Sequence, residues 1–204
     1  MKQLNDPAWA SGMETISYAY IEDTNFRSMD FSSLLGYETV GQFETLLFSR
    51  FFPRKDPHVF MIEAHEKEDI LVGLKPQYAD HTLFFTDHLF YRDRYYVYKK
   101  NGEIKAGLQV NPVTWEVLLI PGPGGWIIQN IIPRLPVLSR VFPHGQFRFL
   151  ALEGIYYQAG YEKYIIKLVE SLMHDMGIYT AIAWLDKSSP VFEDLSRLGG
   201  GGLM

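Results

Sequence analysis

Between Phe147 and Leu185 the chain changes its hydrophobic rhythm twice. Phe147-Arg148-Phe149-Leu150-Ala151-Leu152-Glu153-Gly154-Ile155-Tyr156-Tyr157 is apolar on both alternating faces, the habit of a strand covered on both sides. Gln158-Ala159-Gly160 reads as a turn. From Tyr161 to Met176, apolar residues at 161, 164, 165, 168, 169, 172, 173 and 176 recur at three- and four-residue spacing, which predicts a helix with one buried stripe. Glu162, Lys163, Lys167, Glu170, His174 and Asp175 fill its other side, and Gly177 stands where a left-handed C-terminal cap is expected. Ile178 to Leu185 is a second apolar run. The pattern therefore predicts strand, turn, helix and strand, and a right-handed crossover makes the two strands parallel. Backbone N–H groups at such a helix start lack internal partners and suit a phosphate. A core unit with no ligand has the same pattern.

The flanking regions are read in the same way. Met1 to Gly12 is polar and irregular, Thr15 to Ile21 suits a strand, and Asn25 to Leu35 suits a helix. Asp23, Thr24 or Asn25 can cap that helix and Gly36 can stop it. A β-prone run from Tyr37 to Arg50 ends at the breaker Pro53-Arg54-Lys55-Asp56-Pro57, and His58 to Glu63 gives a short strand. Ile70 to Phe90 reads as helical, interrupted at Gly73 and Pro76. Asn101-Gly102 between Tyr95–Lys100 and Ile104–Val110 marks a hairpin. Trp115 to Ile120 would extend this meander and Pro121-Gly122-Pro123-Gly124-Gly125 would close it as a loop.

Leu152 to Asp186 resembles the centre of the GNAT N-acyltransferase superfamily, whose strand–turn–helix holds the pyrophosphate of acyl-CoA. The family's turn reads Q/R-x-x-G-x-G/A; here Tyr157-Gln158-Ala159-Gly160-Tyr161-Glu162 keeps the first glycine, with Tyr157 and Glu162 at the other defining positions. The resemblance implies an α/β (α+β) mixed sheet, GNAT-like and flanked by helices. It implies acetyl-CoA or another acyl-CoA as cosubstrate, held by Ile155, Tyr157, Gln158, Gly160, Tyr161, Glu162 and Lys163. The acceptor would be a small-molecule amine or an amino-acid-like substrate. Glu153, on the central strand, is the candidate general base, since a carboxylate buried in an apolar strand would have a raised pKa. Pairing with Arg148 or a backbone group is its purely structural alternative. The position where the family often carries an acid tyrosine is Ser32 in one segment and Leu195 in another.

Two segments matter because the resemblance suggests two offset, partial copies of one unit, the first without its front and the second without its final strands. Glu22 to Ser28 and Leu34-Leu35-Gly36-Tyr37 resemble the family's closing strand, helix and glycine, so 1–63 reads as the end of one GNAT-like unit. Residues 64–204 read as the N-terminal and central parts of another, lacking its last strands. Ala183-Trp184-Leu185-Asp186, followed by Phe192, Leu195, Leu198 and Gly199, repeats the order strand, acid, helix, glycine. The expectation is a tandem protein, or an arrangement in which the first segment completes the second.

Composition narrows the chemistry further. A net charge of −5 argues against a general nucleic-acid binder, although the run from Phe90 to Lys100 mixes aromatic and basic residues. The absence of cysteine excludes disulfides and thiolate chemistry and fits a cytoplasmic protein. Met1–Ser11 lacks the apolar core of a signal peptide. The region from Trp115 to Leu138 carries four prolines, Glu116 and Arg134, which unsuits it for spanning a membrane. It reads as a strand, a loop, and a buried or partly exposed helix. His81 and His88, beside Asp80 and Asp87, are too sparse to predict a metal site. The proline–glycine run lacks the following Lys-Ser/Thr of a phosphate loop. Two function classes remain: an acyl-CoA-dependent N-acyltransferase, or a CoA-free GNAT-like binding or structural domain.

Overall fold

The computed structural model describes residues 17–79, 81, 84–143 and 145–198. The chain divides into two compact units, 1–40 and 41–204. In the first, helix α1 (Phe26–Leu34) starts where the Asn25 side chain accepts the Ser28 N–H at 3.2 Å, a satisfied N-cap. Gly36, at φ +85°, follows its end. The strand expected over Thr15–Ile21 is not formed across its described part, residues 17–21, which are irregular; Thr15 and Ile16 lie outside the described residues.

The second unit is built from β1 (Phe43–Ser49), β2 (Val59–Met61), α2 (Lys67–Gln77), β3 (Tyr95–Lys100) and β4 (Glu103–Glu116). It continues through α3 (Gly122–Asn130), β5 (Gln146–Tyr157), α4 (Lys163–Met176), β6 (Thr180–Asp186) and α5 (Pro190–Leu198). The six strands form one sheet in the order β1-β6-β5-β4-β3-β2. Every neighbouring pair is antiparallel except β5 and β6, which are parallel and joined by α4. The fold is thus a mixed α+β sheet flanked by helices, and its β5–α4–β6 unit is the predicted parallel crossover. Strands on both sides of residue 63, β1 and β2 before it and β3 to β6 after it, share this sheet.

Among the described residues the sheet is held by two larger cores and a small third one of Phe149, Ala151 and Ile182. On one side Ile165, Leu168, Val169, Leu172 and Met173 of α4 pack on Leu150, Leu152 and Ile155 of β5, with Val191 and Leu195 of α5 joining them. The other core sets Ile70 and Leu74 of α2 against Leu89, Tyr95 and Val97. Full burial of such side chains is worth roughly 1.5–3 kcal/mol each, so these layers dominate the stability of the unit.

Several elements differ from expectation. Helix α4 begins at Lys163 rather than Tyr161, because the Tyr161 N–H turns back onto the Gln158 carbonyl at 2.9 Å. Its other end follows prediction, with Gly177 at φ +62°. The expected helix over Ile70–Phe90 is confined to Lys67–Gln77: Pro76 sits in its last turn, and the described residues beyond, as far as Phe90, are turns and irregular chain. Strand β4 stops at Glu116, short of the predicted Ile120. The proline–glycine run is not a loop, since α3 starts at Gly122. Pro123 falls in its first turn, where a missing N–H costs nothing. Among the described residues no helix is long and apolar enough to cross a membrane.

Candidate active site

Strands β5 and β6 pair over only three positions, Leu150–Leu152 against Ala181–Ala183, and then part. The cause lies in β5. Its register with β4 slips between the Glu153–Gln109 and Tyr156–Gly107 pairs, leaving an extra residue on the β5 side, a β-bulge. Gly154 sits in that bulge at φ +54°, a conformation costly for residues with a Cβ. The Gly154 carbonyl accepts the Tyr95 hydroxyl at 2.9 Å, which ties the bulge to β3.

Beyond the bulge, β5 has an edge that β6 no longer covers, and the end of α2 occupies it. The Tyr78 hydroxyl donates to the Ile155 carbonyl at 3.0 Å, and the Tyr157 N–H donates to Gln77 Oε1 at 3.4 Å. Tyr78 touches the cores on both sides of the sheet, so its ring fills the parting. Phe84 stacks on it at 4.6 Å between ring centroids. Burial pushes the Tyr78 hydroxyl well above an ordinary tyrosine, so it remains protonated at neutral pH. Gln77 Nε2 is buried and has no partner among the described residues. Nearby, the Tyr157 hydroxyl donates to Asp194 of α5 at 2.8 Å; burial, then this bond to a carboxylate, raise its pKa.

Next comes the turn. Gly160 has φ +82°, and its N–H donates to the Glu162 carboxylate at 2.7 Å. Glu162 thus holds one of the N–H groups that a phosphate would use. The N–H groups of Glu162 and Lys163 have no hydrogen-bond partner among the described residues. Gln158 is pinned, accepting from Lys105 at 2.9 Å and donating through Nε2 to the Ile104 carbonyl at 2.9 Å. Four lysines gather here. The ammonium groups of Lys100, Lys163 and Lys167 lie 5.9, 5.7 and 5.5 Å from the centre of the Tyr164 ring, and that of Lys105 lies 5.0 Å from the Tyr161 ring. The Tyr161 and Tyr164 rings stack at 5.6 Å. Lys105 pairs with Glu103 at 2.5 Å, and that carboxylate raises its pKa. The other three have no carboxylate within ion-pair distance among the described residues.

The sequence-predicted residues therefore divide. Tyr157, Gln158, Gly160, Tyr161, Glu162 and Lys163 come together at the turn. Ile155 is adjacent, but its side chain is fully buried in the α4 core, so only its backbone faces the parting. Glu153 corrects an expectation: its side chain is exposed rather than buried in an apolar strand. It accepts from Asn111 Nδ2 at 3.2 Å and makes no ion pair with Arg148. Leu195, at one position for an acid tyrosine, is buried in the core. His81 and His88 share no helix, and no group of three or more metal-ligating residues occurs among the described residues. Sequence reading missed Gln77, Tyr78 and the lysine cluster. Lys100 and Lys105 flank the Asn101-Gly102 turn and reach α4 only through sheet pairing; the alternation along the hairpin was their one available signal.

No family model matches this sequence, and no curated protein matches it. Among solved structures, the chain is similar to one from Novosphingobium aromaticivorans assigned to the GNAT family as an acetyltransferase. The identity is 10% and the TM-score 0.40, over 78% of this chain and 59% of that one. The present chain therefore spans less than two thirds of that structure's length.

Proposed function

We propose that this chain is a GNAT-like N-acyltransferase domain that takes acyl-CoA at the β5–α4 turn and passes the acyl group to an amine. The observation that carries this reading is the lysine cluster: three lysines with no carboxylate within ion-pair distance among the described residues, though the Lys167 charge is felt by Asp56, and a fourth beside them surround the first turn of a helix in a chain of net charge −5. Free N–H groups of Glu162 and Lys163 point to the same polyanionic ligand. The uncovered edge of β5 suits an extended, amide-bearing arm, which would pair with it as an added strand does. A carbonyl on that arm would satisfy Gln77 Nε2, a buried donor that costs about 1–3 kcal/mol while unpaired. Tyr78 must swing out of the parting for the arm to enter. Glu153 then takes the proton of the amine as its nitrogen bonds to the acyl carbon, with Asn111 orienting the carboxylate, and the C–S bond breaks to release CoA as a thiolate that is protonated from solvent.

A second reading is favoured by the Glu162–Gly160 bond at 2.7 Å. In it the carboxylate replaces the phosphate permanently, and the domain keeps the architecture without CoA. Calorimetric titration with acetyl-CoA separates the two. Under the first reading the wild type binds, Glu162→Ala binds several-fold tighter through relief of about 1 kcal/mol of like-charge repulsion, and Lys163→Ala/Lys167→Ala binds more weakly. All three effects shrink with added salt. Absence of binding in both the wild type and Glu162→Ala establishes the second reading.

A further inference from the structure

At the far end of α4 from the Gly160 turn lies a groove of about 300 Å³, lined by Phe52, Pro53, Arg140, Met173, His174 and Tyr179. The Arg140 guanidinium stacks on Phe52 and Tyr179, 4.8 and 5.7 Å from the ring centres. Its Nη1 donates to the Phe51 carbonyl at 2.9 Å. Arg140 has no carboxylate partner among the described residues. It is therefore a cation fixed in orientation on three sides, with Nη2 and Nε still available as donors.

Three neighbouring charged groups, Lys55, His174 and Asp175, are tied to one another. Asp175 accepts from His174 Nδ1 at 3.0 Å and pairs with Lys55 at 3.3 Å, which leaves His174 only its Nε2 for a ligand. The N–H groups of Gly177 and Ile178 close the last carbonyls of α4, so the negative end of that helix is partly satisfied. Among the residues that line the groove, Arg140 is the cation without an ion pair among the described residues, and it stands beside an apolar wall of Phe52, Pro53, Met173 and Tyr179.

We propose that this groove binds a small aromatic carboxylate. Its carboxylate would bridge the two open donors of Arg140 as a bidentate pair, and its ring would lie along the apolar wall. The site is independent of the acyl-CoA reading and shares no residue with the turn.

Benzoate is the probe, with benzamide as its neutral near-isostere and acetate as the carboxylate without a ring. Binding to the full chain is followed by NMR through the Met173 methyl and the Arg140 Nε–H. Saturable shifts with benzoate are expected, with benzamide and acetate each about tenfold weaker or worse, the equivalent of losing one charge-assisted bond or the ring contacts. Arg140→Gln should abolish the benzoate shifts at Met173. Arg140→Lys keeps the charge without the fork, should bind several-fold more weakly, and serves if the glutamine variant does not fold. Shifts that do not saturate overturn the proposal. So does equal binding of benzamide, or benzoate affinity unchanged in the folded Arg140 variants. Acetate binding as well as benzoate overturns the aromatic assignment.

Discussion

Gly154 carries the bulge on which the proposed site depends, so alanine there is the most informative single change. The added methyl meets two separate costs. At φ +54° a residue with a Cβ is strained by about 1–2 kcal/mol. The new Cβ would also stand 2.0 Å from Leu89 Cδ1, and Leu89 is buried, so it must leave its rotamer or move the neighbouring core, for about 1–3 kcal/mol. Gly154→Ala should therefore destabilise the protein by roughly 2–5 kcal/mol in urea denaturation. Leu89→Ala alone should cost a similar roughly 2–5 kcal/mol by leaving a cavity. The two together should cost less than their sum, by about 1–3 kcal/mol, because the methyl at 154 then enters vacated space while the backbone strain persists. Strict additivity, or a Gly154→Ala cost below about 0.5 kcal/mol, would refute the close contact and the left-handed bulge together.

Two further perturbations have defined outcomes. Tyr78→Phe removes the donor to the Ile155 carbonyl and should cost about 1–2 kcal/mol in the same assay, while retention of full stability would mean that water takes over the bond. Glu66 concerns pH: burial raises its pKa, but the Lys99 hydrogen bond, the Glu63 N–H and the Lys99 charge outweigh that and hold it below the ordinary carboxylate range. A depressed folded-state pKa contributes stability above the unfolded-state value, and that stability is lost as pH falls through the folded-state value. The wild type should thus lose stability on acidification below about pH 5 more steeply than Glu66→Gln, and parallel curves would contradict the assignment.

Much of the centre was legible because period and caps agree there. The 3.6-residue stripe of α4, its glycine stop and the apolar runs on either side dictate one crossover, and the Asn-Gly pair dictates one hairpin. What could not be read depended on distant partners. Thr15–Ile21 has strand composition, but composition supplies no neighbouring ladder. Glu153 looks buried on paper because its neighbours are apolar, yet its side chain is exposed, beside Asn111 of the neighbouring strand. The three glycines and two prolines of 121–125 suggested a loop, whereas α3 absorbs them at its start. Gln77 and Tyr78 lie about 80 residues from the strand edge they fill, and no local pattern announces that meeting.

The pairing of β1 with β6 sets an order of events in time. Ser49 and Thr180 meet through their hydroxyls at 3.3 Å across 131 residues of chain, so the end of the sheet cannot form until the last strand exists. During synthesis, at about 5–20 residues per second, Phe43–Ser49 must wait on the order of ten seconds for Thr180–Asp186 to emerge. Throughout that interval the segment Phe-Glu-Thr-Leu-Leu-Phe-Ser is an unmatched template with a single charge, the kind of sequence that recruits other strands. The nascent chain is thus most exposed to aggregation early, and its protection arrives late. A chaperone that shields extended apolar segments would matter most to this protein before residue 180 is made.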